Sequence, residues 1–332
     1  MIISRTPFRI SFFGGGTDYP AWFKDHSGAV LATTIDKYCY ITARYLPPFF
    51  EHRSRIIYSK MEHVTGIDEI DHPAVRETLR FLDIHKGVEI HHDGDLPART
   101  GLGSSSSFTV GLLNALGALK GETRTKDQLA REAIHIEQDM IRENVGCQDR
   151  VLAAHGGFMH IAFGGEGHLR SRRVEMPDAN LARLQEHMMI FFTGVSRTAS
   201  EIAAHQVANI PRRMQELAAL QAMVGTALKC VDAADFKGFG KLLDESWKLK
   251  RSLSDKISTP DIDAIYARAM QAGALGGKLL GAGGGGFVLI YAEPDKKQAV
   301  RKALQGFLEI PFKFETQGSQ IIFYQPNSGV VA

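Results

Sequence analysis

The first 45 residues show the alternation of apolar and polar positions that is typical of β-strands. Aromatic and β-branched side chains are concentrated in residues 9–13, 28–35 and 38–45, and the last segment alternates most regularly. Successive side chains of a strand point to opposite faces of a sheet, so one face of such a segment can be buried. The pattern predicts hairpin-connected strands on one sheet at the start of the chain.

Helical periodicity takes over in the middle of the chain. In residues 126–143 an apolar stripe at helical spacing is formed by Leu129, Ala133, Ile136 and Met140. Further helices are predicted for residues 73–82, 104–116 and 148–154, and a strand is predicted for residues 88–91. The middle of the chain is therefore expected to supply the helices that cover the first sheet.

After residue 157 strands return and are followed by long helices. The predicted strands are 158–163, 188–192, 286–291, 312–314 and 320–324. The predicted helices are 199–254, interrupted near Pro211 because proline cannot donate a backbone hydrogen bond, and 295–307. This order predicts an α+β fold with two domains, residues 1–178 and 179–332.

Composition and charge exclude several classes of protein. The 332 residues include 44% hydrophobic and 23% charged residues, as in ordinary globular proteins. Lys and Arg number 39 against 37 Asp and Glu, and the two signs are interspersed, so no nucleic-acid partner is expected. No stretch has the length of a membrane span, and the start lacks the apolar region of a signal peptide, so we expect a cytoplasmic protein without a membrane partner.

The three cysteines do not indicate disulfides or a thiolate metal site. Cys39, Cys147 and Cys230 are odd in number, far apart and in no CxxC pair. They are expected to be reduced packing residues.

A glycine- and serine-rich run at residues 97–107, PARTGLGSSSS, leads directly into the helix predicted from residue 104. Glycines allow tight turns and close approach of the backbone, and the free N–H groups at a helix start attract anions. Serine hydroxyls can bind phosphate or Mg²⁺, which prefers oxygen ligands. The run predicts a polyphosphate-binding loop; a flexible connection that merely caps the helix is the structural alternative.

Known nucleotide-binding loops do not account for this run. No lysine follows the glycines as in GxxxxGK[ST], and no protein-kinase HRD or DFG signature is present. The glycines at 281, 283 and 286 satisfy GxGxxG, the dinucleotide-binding pattern. That pattern requires a helix immediately after the glycines, whereas the strand-like residues 287–291 follow here, which disfavours a dinucleotide site.

Three segments together resemble the GHMP kinases, the superfamily of galactokinase, homoserine kinase, mevalonate kinase and phosphomevalonate kinase. They are PFRISFFGGGTDYP at 7–20, PARTGLGSSSS at 97–107 and KLLGAGGGGF at 278–287, in the family's order. The resemblance implies a two-lobed fold with a ribosomal S5 domain 2-like N-terminal lobe and a ferredoxin-like C-terminal lobe. It also implies ATP as phosphate donor with Mg²⁺.

The resemblance further implies which residues hold the nucleotide and the metal. The loop residues are Gly101, Gly103, Ser104, Ser105 and Ser106, with Gly283 and Gly284 of the third motif packed beside them. Mg²⁺ is expected between Ser105 and Glu137, with Ser104 or Ser106 as alternatives to Ser105. Glu137 lies beside an apolar stripe, where a charged side chain is unusual, so a functional role is expected. A surface glutamate is the simpler alternative.

For catalysis the resemblance singles out Asp149 as the base and Arg9 as the contact to the reacting phosphate or substrate. The structural alternative for Asp149 is a carboxylate that interacts with a helix dipole, and for Arg9 it is a charge at a sheet edge. The predicted substrate-binding residues are Gly15, Gly16, Thr17, Asp18, Asp36, Lys37 and Arg197.

The first motif narrows the sugar. Galactokinases carry GEHTD where this chain has GGGTD at 14–18, so the glutamate and histidine that line the galactose site are missing. The GGGTD form resembles D-glycero-D-manno-heptose 7-phosphate kinases and L-fucose kinases, which phosphorylate the anomeric hydroxyl. That hydroxyl is comparatively acidic, so modest help from a base would suffice. A 7-phosphate would need further cations, for which Lys37, Arg44 and Arg197 are candidates.

The sequence thus predicts an ATP-dependent kinase that converts D-glycero-D-manno-heptose 7-phosphate to the 1,7-bisphosphate, for nucleotide-activated heptose and a bacterial surface polysaccharide. An L-fucose or other hexose 1-kinase is the alternative enzyme. A catalytically silent GHMP-fold sugar sensor is the alternative from another class. The expected partner is the small-molecule sugar phosphate, and a homodimer is left open.

Overall fold

The structure is a computed structural model that describes residues 1–164, 169–195 and 199–326. Its strands are β1 (Ile2–Phe13), β2 (Gly28–Tyr45), β3 (Ser54–Ile57), β4 (Met61–Val64), β5 (Val88–Gly94), β6 (Phe158–Phe163), β7 (Leu169–Arg173), β8 (Met188–Phe192), β9 (Ala274–Leu279), β10 (Phe287–Ala292), β11 (Leu308–Ile310), β12 (Phe314–Glu315) and β13 (Gln320–Tyr324). Its helices are α1 (Pro20–Phe23), α2 (Pro73–Phe81), α3 (Ser104–Leu119), α4 (Lys126–His135), α5 (Gln148–His155), α6 (Asp178–Glu186), α7 (Ala199–Asn209), α8 (Met214–Asp232), α9 (Phe236–Arg251), α10 (Pro260–Gln271) and α11 (Lys297–Ala303). The described helices include none with both the length and the apolar character to cross a lipid bilayer.

The first sheet is built on the long antiparallel pair β1 and β2, whose register runs from Ile2 opposite Ala43 to Phe13 opposite Leu31. Its order is β13-β1-β2-β5-β3-β4, and β6 continues from β2 to β7. Strand β2 is one continuous strand where the sequence predicted two, because its two halves pair with different neighbours, β6 and β5.

The end of the chain returns to the first sheet. Strand β13 pairs with β1, and β12 pairs with β2, both antiparallel. The predicted domain boundary at residues 178 and 179 stays a prediction, but these two strands, which it assigns to the second domain, lie in the sheet of the first. Strand pairing over more than 270 positions along the chain leaves no local sequence signal.

The second sheet is antiparallel, in the order β11-β8-β10-β9. All six residues of β10 are buried, since this central strand is covered on both faces. Helices α9 and α10 pack on β9. The ring of Phe239 on α9 meets Phe12 and Phe13 of β1 edge-on, with centroids 5.7 and 5.0 Å apart, so the two sheets share one apolar core.

A layer of helices covers the first sheet. Helix α3 is buried along most of its length and packs against β1 and β2, and α4 and α5 pack beside it. Helix α4 begins with a capping box between Thr125 and Gln128. The helix predicted for residues 126–143 is α-helical only to His135; residues Ile136–Met140 form a π-helical turn, a feature found often at functional sites.

Candidate active site

The glycine-serine run forms a loop that ends at the start of α3. Gly101 and Gly103 adopt φ values of +83° and +77°, which side-chain-bearing residues rarely adopt. Gly103 is the N-cap residue, and no side chain caps the helix. The backbone N–H groups at the N-terminus of this 16-residue helix are therefore free of a capping side chain and can bind an anion, as the sequence predicts.

The third motif packs against this loop. A Cβ atom on Gly101 would lie 2.2 Å from the carbonyl oxygen of Leu280, and one on Gly286 would lie 2.2 Å from that of Thr100. The expected contact between the two loops is therefore present. Gly283 and Gly284 contact Ile257, whose carbonyl accepts a 3.0 Å hydrogen bond from the Gly284 N–H; their role in nucleotide binding stays a prediction.

The serines of the loop differ in what their hydroxyls contact. Ser104 accepts a 3.2 Å hydrogen bond from the Arg99 N–H, and Ser107 donates to the carbonyl of Pro7 at 2.8 Å. Ser106 is buried, whereas Ser105 is exposed. Ser105 is therefore the loop serine that solvent reaches most readily.

Arg9 and Asp149 form the central pair of the site. The guanidinium Nε and Nη2 donate to the two carboxylate oxygens of Asp149, each at 2.6 Å, and Nη1 donates to the carbonyl of Gly101 at 2.6 Å. Arg9 is buried on β1, and Asp149 lies in the first turn of α5 with 19% of its side chain exposed. The bidentate pair thus joins the sheet, the phosphate loop and α5 at one point.

Asp18 lies beside this pair, buried at 3% exposure. Its carboxylate accepts hydrogen bonds from the backbone N–H groups of Gly16 at 3.1 Å and Gln148 at 3.4 Å. Burial, followed by the nearby charge of Asp149, raises the pKa of Asp18. Gly146 is needed here, because a Cβ atom would lie 2.0 Å from the Asp18 carboxylate.

The GGGTD turn positions Asp18. The Thr17 hydroxyl lies 2.8 Å from the carbonyl of Gly14 and accepts a 3.1 Å hydrogen bond from the Ala29 N–H, so it closes the turn and is occupied within the protein. Gly16 has φ +107°. Of the residues predicted to bind substrate, Asp18 lies within reach of the Asp149 charge, and Gly15 lies near Gln148, which precedes Asp149. Gly16 and Thr17 shape the turn that holds them.

Glu137, predicted as a metal ligand, is buried in the π-helical turn and forms an ion pair with Arg150. Both side chains are 2% exposed. The described residues hold no group of three or more His, Cys, Asp or Glu side chains around one point, although Mg²⁺ needs only one or two carboxylates when phosphate oxygens complete its shell. Glu137 and Ser105 as placed here do not fit a Mg²⁺ site, since the arginine already balances the carboxylate; their role as ligands stays a prediction.

Two of the three cations considered for a second phosphate, Lys37 and Arg44, contact carboxylates. Lys37 contacts Asp36, whose carboxylate accepts a 2.7 Å hydrogen bond from the Lys313 N–H. Arg44 pairs with Glu89. Arg197 lies outside the described residues. None of these contacts joins Asp36 or Lys37 to the Arg9–Asp149 pair.

Two buried lysines near the pair were missed in the sequence. Lys250 of α9 donates to the carbonyl of Gly281 at 2.6 Å, and Lys278 of β9 donates to that of Phe12 at 2.9 Å. Burial lowers the pKa of Lys250 to about 8 and that of Lys278 well below its usual value. A signal existed for Lys250: it falls three residues after Trp247, on the apolar stripe that this residue shares with Phe239 and Leu243.

Comparison with known proteins gives two family matches. Residues 71–157 match the GHMP kinases N terminal domain, and residues 227–310 match the GHMP kinases C terminal domain. A D-glycero-alpha-D-manno-heptose 7-phosphate kinase of Campylobacter jejuni is 27% identical over 96% of this chain and 97% of its own length. An L-fucokinase/L-fucose-1-P guanylyltransferase of Bacteroides fragilis is 24% identical over 92% of this chain, which spans 36% of that protein.

A solved structure extends the likeness to the fold. A D-glycero-D-manno-heptose 1-phosphate kinase from Bacteroides thetaiotaomicron superimposes with a TM-score of 0.77 at 23% identity, covering 96% of this chain and 98% of that one.

Proposed function

Because the chain belongs to the GHMP kinase family, we propose that it is an ATP-dependent sugar kinase whose acceptor hydroxyl is activated at Asp149. The observation that carries the proposal is the bidentate pair of Arg9 and Asp149 at 2.6 Å, anchored to the phosphate loop through Gly101. Transfer of a phosphoryl group to a hydroxyl needs a carboxylate that is held in place beside the bound phosphates and accepts the hydroxyl proton. Asp149 is fixed in this way next to the start of α3.

The chemistry at this site follows from the two partners. The Asp149 carboxylate accepts the proton of the sugar hydroxyl as the oxygen forms its bond to the γ-phosphorus, and the bond from that phosphorus to ADP breaks. Arg9 fixes both oxygens of Asp149 and contributes positive charge where negative charge develops. The N-terminus of α3 receives the phosphates of the nucleotide.

For the sugar we propose D-glycero-D-manno-heptose 7-phosphate, phosphorylated at the anomeric hydroxyl. Support comes from the GGGTD turn and from the full-length similarity to a kinase named for this substrate. L-Fucose is the second candidate, supported by the similarity to a fucokinase. Lys37 and Arg44, two of the three cations considered for a 7-phosphate, already contact carboxylates. L-Fucose carries no phosphate and needs no such cations, so it is retained as the second candidate.

A coupled assay of ADP release tests the proposal. Purified protein is given ATP, Mg²⁺ and, in separate reactions, D-glycero-D-manno-heptose 7-phosphate, L-fucose and D-mannose. We expect sugar-dependent ADP release that is fastest with the heptose phosphate. Faster turnover of L-fucose would overturn the heptose assignment, and binding of ATP and sugar without ADP release would favour a sugar sensor.

A further inference from the structure

A small space above Gly15 is bordered by polar atoms from three parts of the chain. A Cβ atom built on Gly15 would lie 3.8 Å from Ser11 Oγ, 3.9 Å from Gln148 Nε2 and 4.0 Å from Lys250 Nζ. Ser11 belongs to β1, Gln148 begins α5 next to Asp149, and Lys250 comes from α9 of the second half. All of these contacts are at ordinary van der Waals distance, so the space would accept a carbon atom without a clash.

These polar groups are short of hydrogen-bond partners. Ser11 Oγ and Gln148 Oε1 are buried, and neither has a partner. The residue Lys250 is buried at 6% exposure, and its ammonium has three donors, of which one is used, by the carbonyl of Gly281. In the described ranges Lys250 forms no ion pair with a carboxylate.

Such a concentration of unsatisfied groups is costly to a folded protein. Buried polar atoms are almost always hydrogen-bonded, and a buried ammonium without a carboxylate is rarer still. The three groups meet at the site that also holds Asp149 and Asp18, whose charges act on Lys250. Groups left unpaired at one point of an active site are groups that a ligand can pair.

We propose that Ser11, Gln148 and Lys250 bind a hydroxyl group of the sugar other than the one that is phosphorylated, so that Lys250 is a specificity-determining residue of this kinase. The inference rests on the sugar kinase function proposed above. Lys250 Nζ and Gln148 Nε2 donate to the hydroxyl oxygen, and the hydroxyl proton is donated to Ser11 Oγ. Gly15 keeps the position open for the sugar.

The same groups argue against a phosphate at this point. A phosphate dianion offers acceptors only, whereas a hydroxyl can accept from Lys250 and also donate to the unpaired Ser11 Oγ. The site therefore matches the chemistry of a neutral sugar hydroxyl.

Single-deoxy analogues combined with a Lys250 variant test the assignment. The sugar that wild type turns over fastest is compared with its analogues deoxygenated at C2, C3 or C4. We expect Lys250→Met to lower kcat/KM for the parent sugar by about 10–100-fold, the effect of losing one hydrogen bond from a charged donor. One of the analogues lacks the hydroxyl that Lys250 contacts. For that analogue kcat/KM of Lys250→Met should be less than about threefold below that of wild type. Lys248→Met, a change to an exposed lysine of the same helix, should leave both values within about twofold.

A steric variant gives an independent measure that does not depend on removing the charge. Gly15→Ala fills the space without close contacts, and Gly15 does not have the left-handed φ of Gly14 and Gly16. We expect an unchanged thermal unfolding midpoint, an unchanged KM for ATP and a KM for the sugar raised at least about tenfold. Gly225→Ala, where nothing lies within 4 Å, is the matched control and should leave the KM for the sugar unchanged.

The outcomes separate the inference from the function on which it rests. If wild type turns over no sugar and binds none by calorimetry, the proposed function fails and the inference falls with it. If wild type is active but Lys250→Met loses the same factor with every analogue, or raises the KM for ATP instead, the inference is wrong and the function stands. Should Lys250→Met not fold, an unchanged KM for the sugar in Gly15→Ala would by itself overturn the inference.

Discussion

Asp149 owes its position to Arg9, which binds both of its oxygens, and to the first turn of α5. We expect Asp149→Asn to lower kcat by at least about 100-fold, because the amide cannot accept the proton of the sugar hydroxyl. The measurement is steady-state ADP release at saturating sugar and ATP, with nucleotide binding measured in parallel. Turnover within threefold of wild type, with binding intact, would show that Asp149 is not the base.

Glu137 and Arg150 form a buried ion pair. We expect Glu137→Gln to lower the free energy of unfolding by about 3 kcal/mol, because it leaves the Arg150 charge buried without its partner. Thermal and denaturant unfolding measure this change. Glu132→Gln, which removes a more exposed partner of Arg124, is the control and should cost much less.

The same variant tests the predicted role in metal binding. If Glu137 serves mainly to balance Arg150, the Mg²⁺ concentration that half-activates the folded variant equals that of wild type. A variant with wild-type stability that needs at least tenfold more Mg²⁺ would instead establish Glu137 as a metal ligand.

At the residue scale the sequence predicted the pair of Arg9 and Asp149 as members of one site, and the structure places them in direct contact. It did not reveal that Thr17 is occupied by the backbone around it or that Lys37 contacts Asp36. Motifs specify which residue type stands at a position, whereas hydrogen-bond partners depend on segments far apart in the chain. Lys250 was not predicted as a site residue, because its neighbours in the site come from distant parts of the chain. Its position on an apolar stripe of α9 could have indicated that it is buried.

The two glycine loops form one unit, since each fills the space that a side chain would need on the other. We expect Gly101→Ala to raise the KM for ATP, because its Cβ atom would displace the carbonyl of Leu280 by more than the backbone can absorb locally. The variant should also lose about 1–2 kcal/mol from its left-handed conformation. The readouts are the KM for ATP and the thermal unfolding midpoint.

Gly121→Ala is the matched control for that variant. Gly121 has φ +81°, close to that of Gly101, but nothing lies within 4 Å of its Cβ position. It should show the loss of stability from the left-handed conformation with an unchanged KM for ATP. An equal KM for ATP in both variants would mean that contact between the loops does not shape the nucleotide site.

Predictions for individual elements succeeded where periodicity is local. The strands at Phe158–Phe163, Met188–Phe192 and Gln320–Tyr324 have the predicted bounds, and α3 begins at Ser104 as expected. The sequence did not predict α10 or β9, and it did not foresee the change from α- to π-helix after His135. A π-helical turn leaves the apolar stripe almost unchanged, so periodicity alone cannot reveal it.

In the whole molecule, two buried lysines connect the second half to the first. Lys250 and Lys278 come from α9 and β9, and each donates to a backbone carbonyl. Both have a pKa lowered from 10.5 by burial, that of Lys250 to about 8. Between pH 8 and 10.5 these two lysines therefore bind more protons in the unfolded chain than in the folded protein, so their contribution to stability rises with pH in this window.

We expect the thermal unfolding midpoint to rise by about 3 °C or more between pH 7.5 and 9.5. Lys250→Met should unfold at a higher temperature than wild type at pH 7.5 and show a smaller rise, whereas Lys248→Met should follow wild type. The groups whose pKa burial raises, such as Cys147 and Tyr58, oppose this rise, because in the unfolded chain they lose protons near pH 9 and 10; the comparison of Lys250→Met with wild type isolates the lysine. A midpoint that falls with pH, or an equal slope in Lys250→Met, would contradict the account.

The fold of the whole chain was predicted from three motifs and is confirmed: both GHMP kinase domains match, and the mixed helices and sheets superimpose on known members. The return of β12 and β13 to the first sheet was not predicted, because the partners of an edge strand are set by the folded sheet and not by its own five residues. The homodimer that the sequence left open stays a prediction.

The transfer of a phosphoryl group from ATP to a sugar hydroxyl is the central claim. The most direct test is ³¹P nuclear magnetic resonance of the products formed from ATP, Mg²⁺ and D-glycero-D-manno-heptose 7-phosphate, with Asp149→Asn as the control. We expect a new phosphoester resonance coupled to the anomeric proton, formed at the same rate as ADP, and its loss in the variant. ADP formed at the same rate without any sugar, or no phosphorylated sugar from the heptose phosphate, L-fucose or D-mannose, would contradict it.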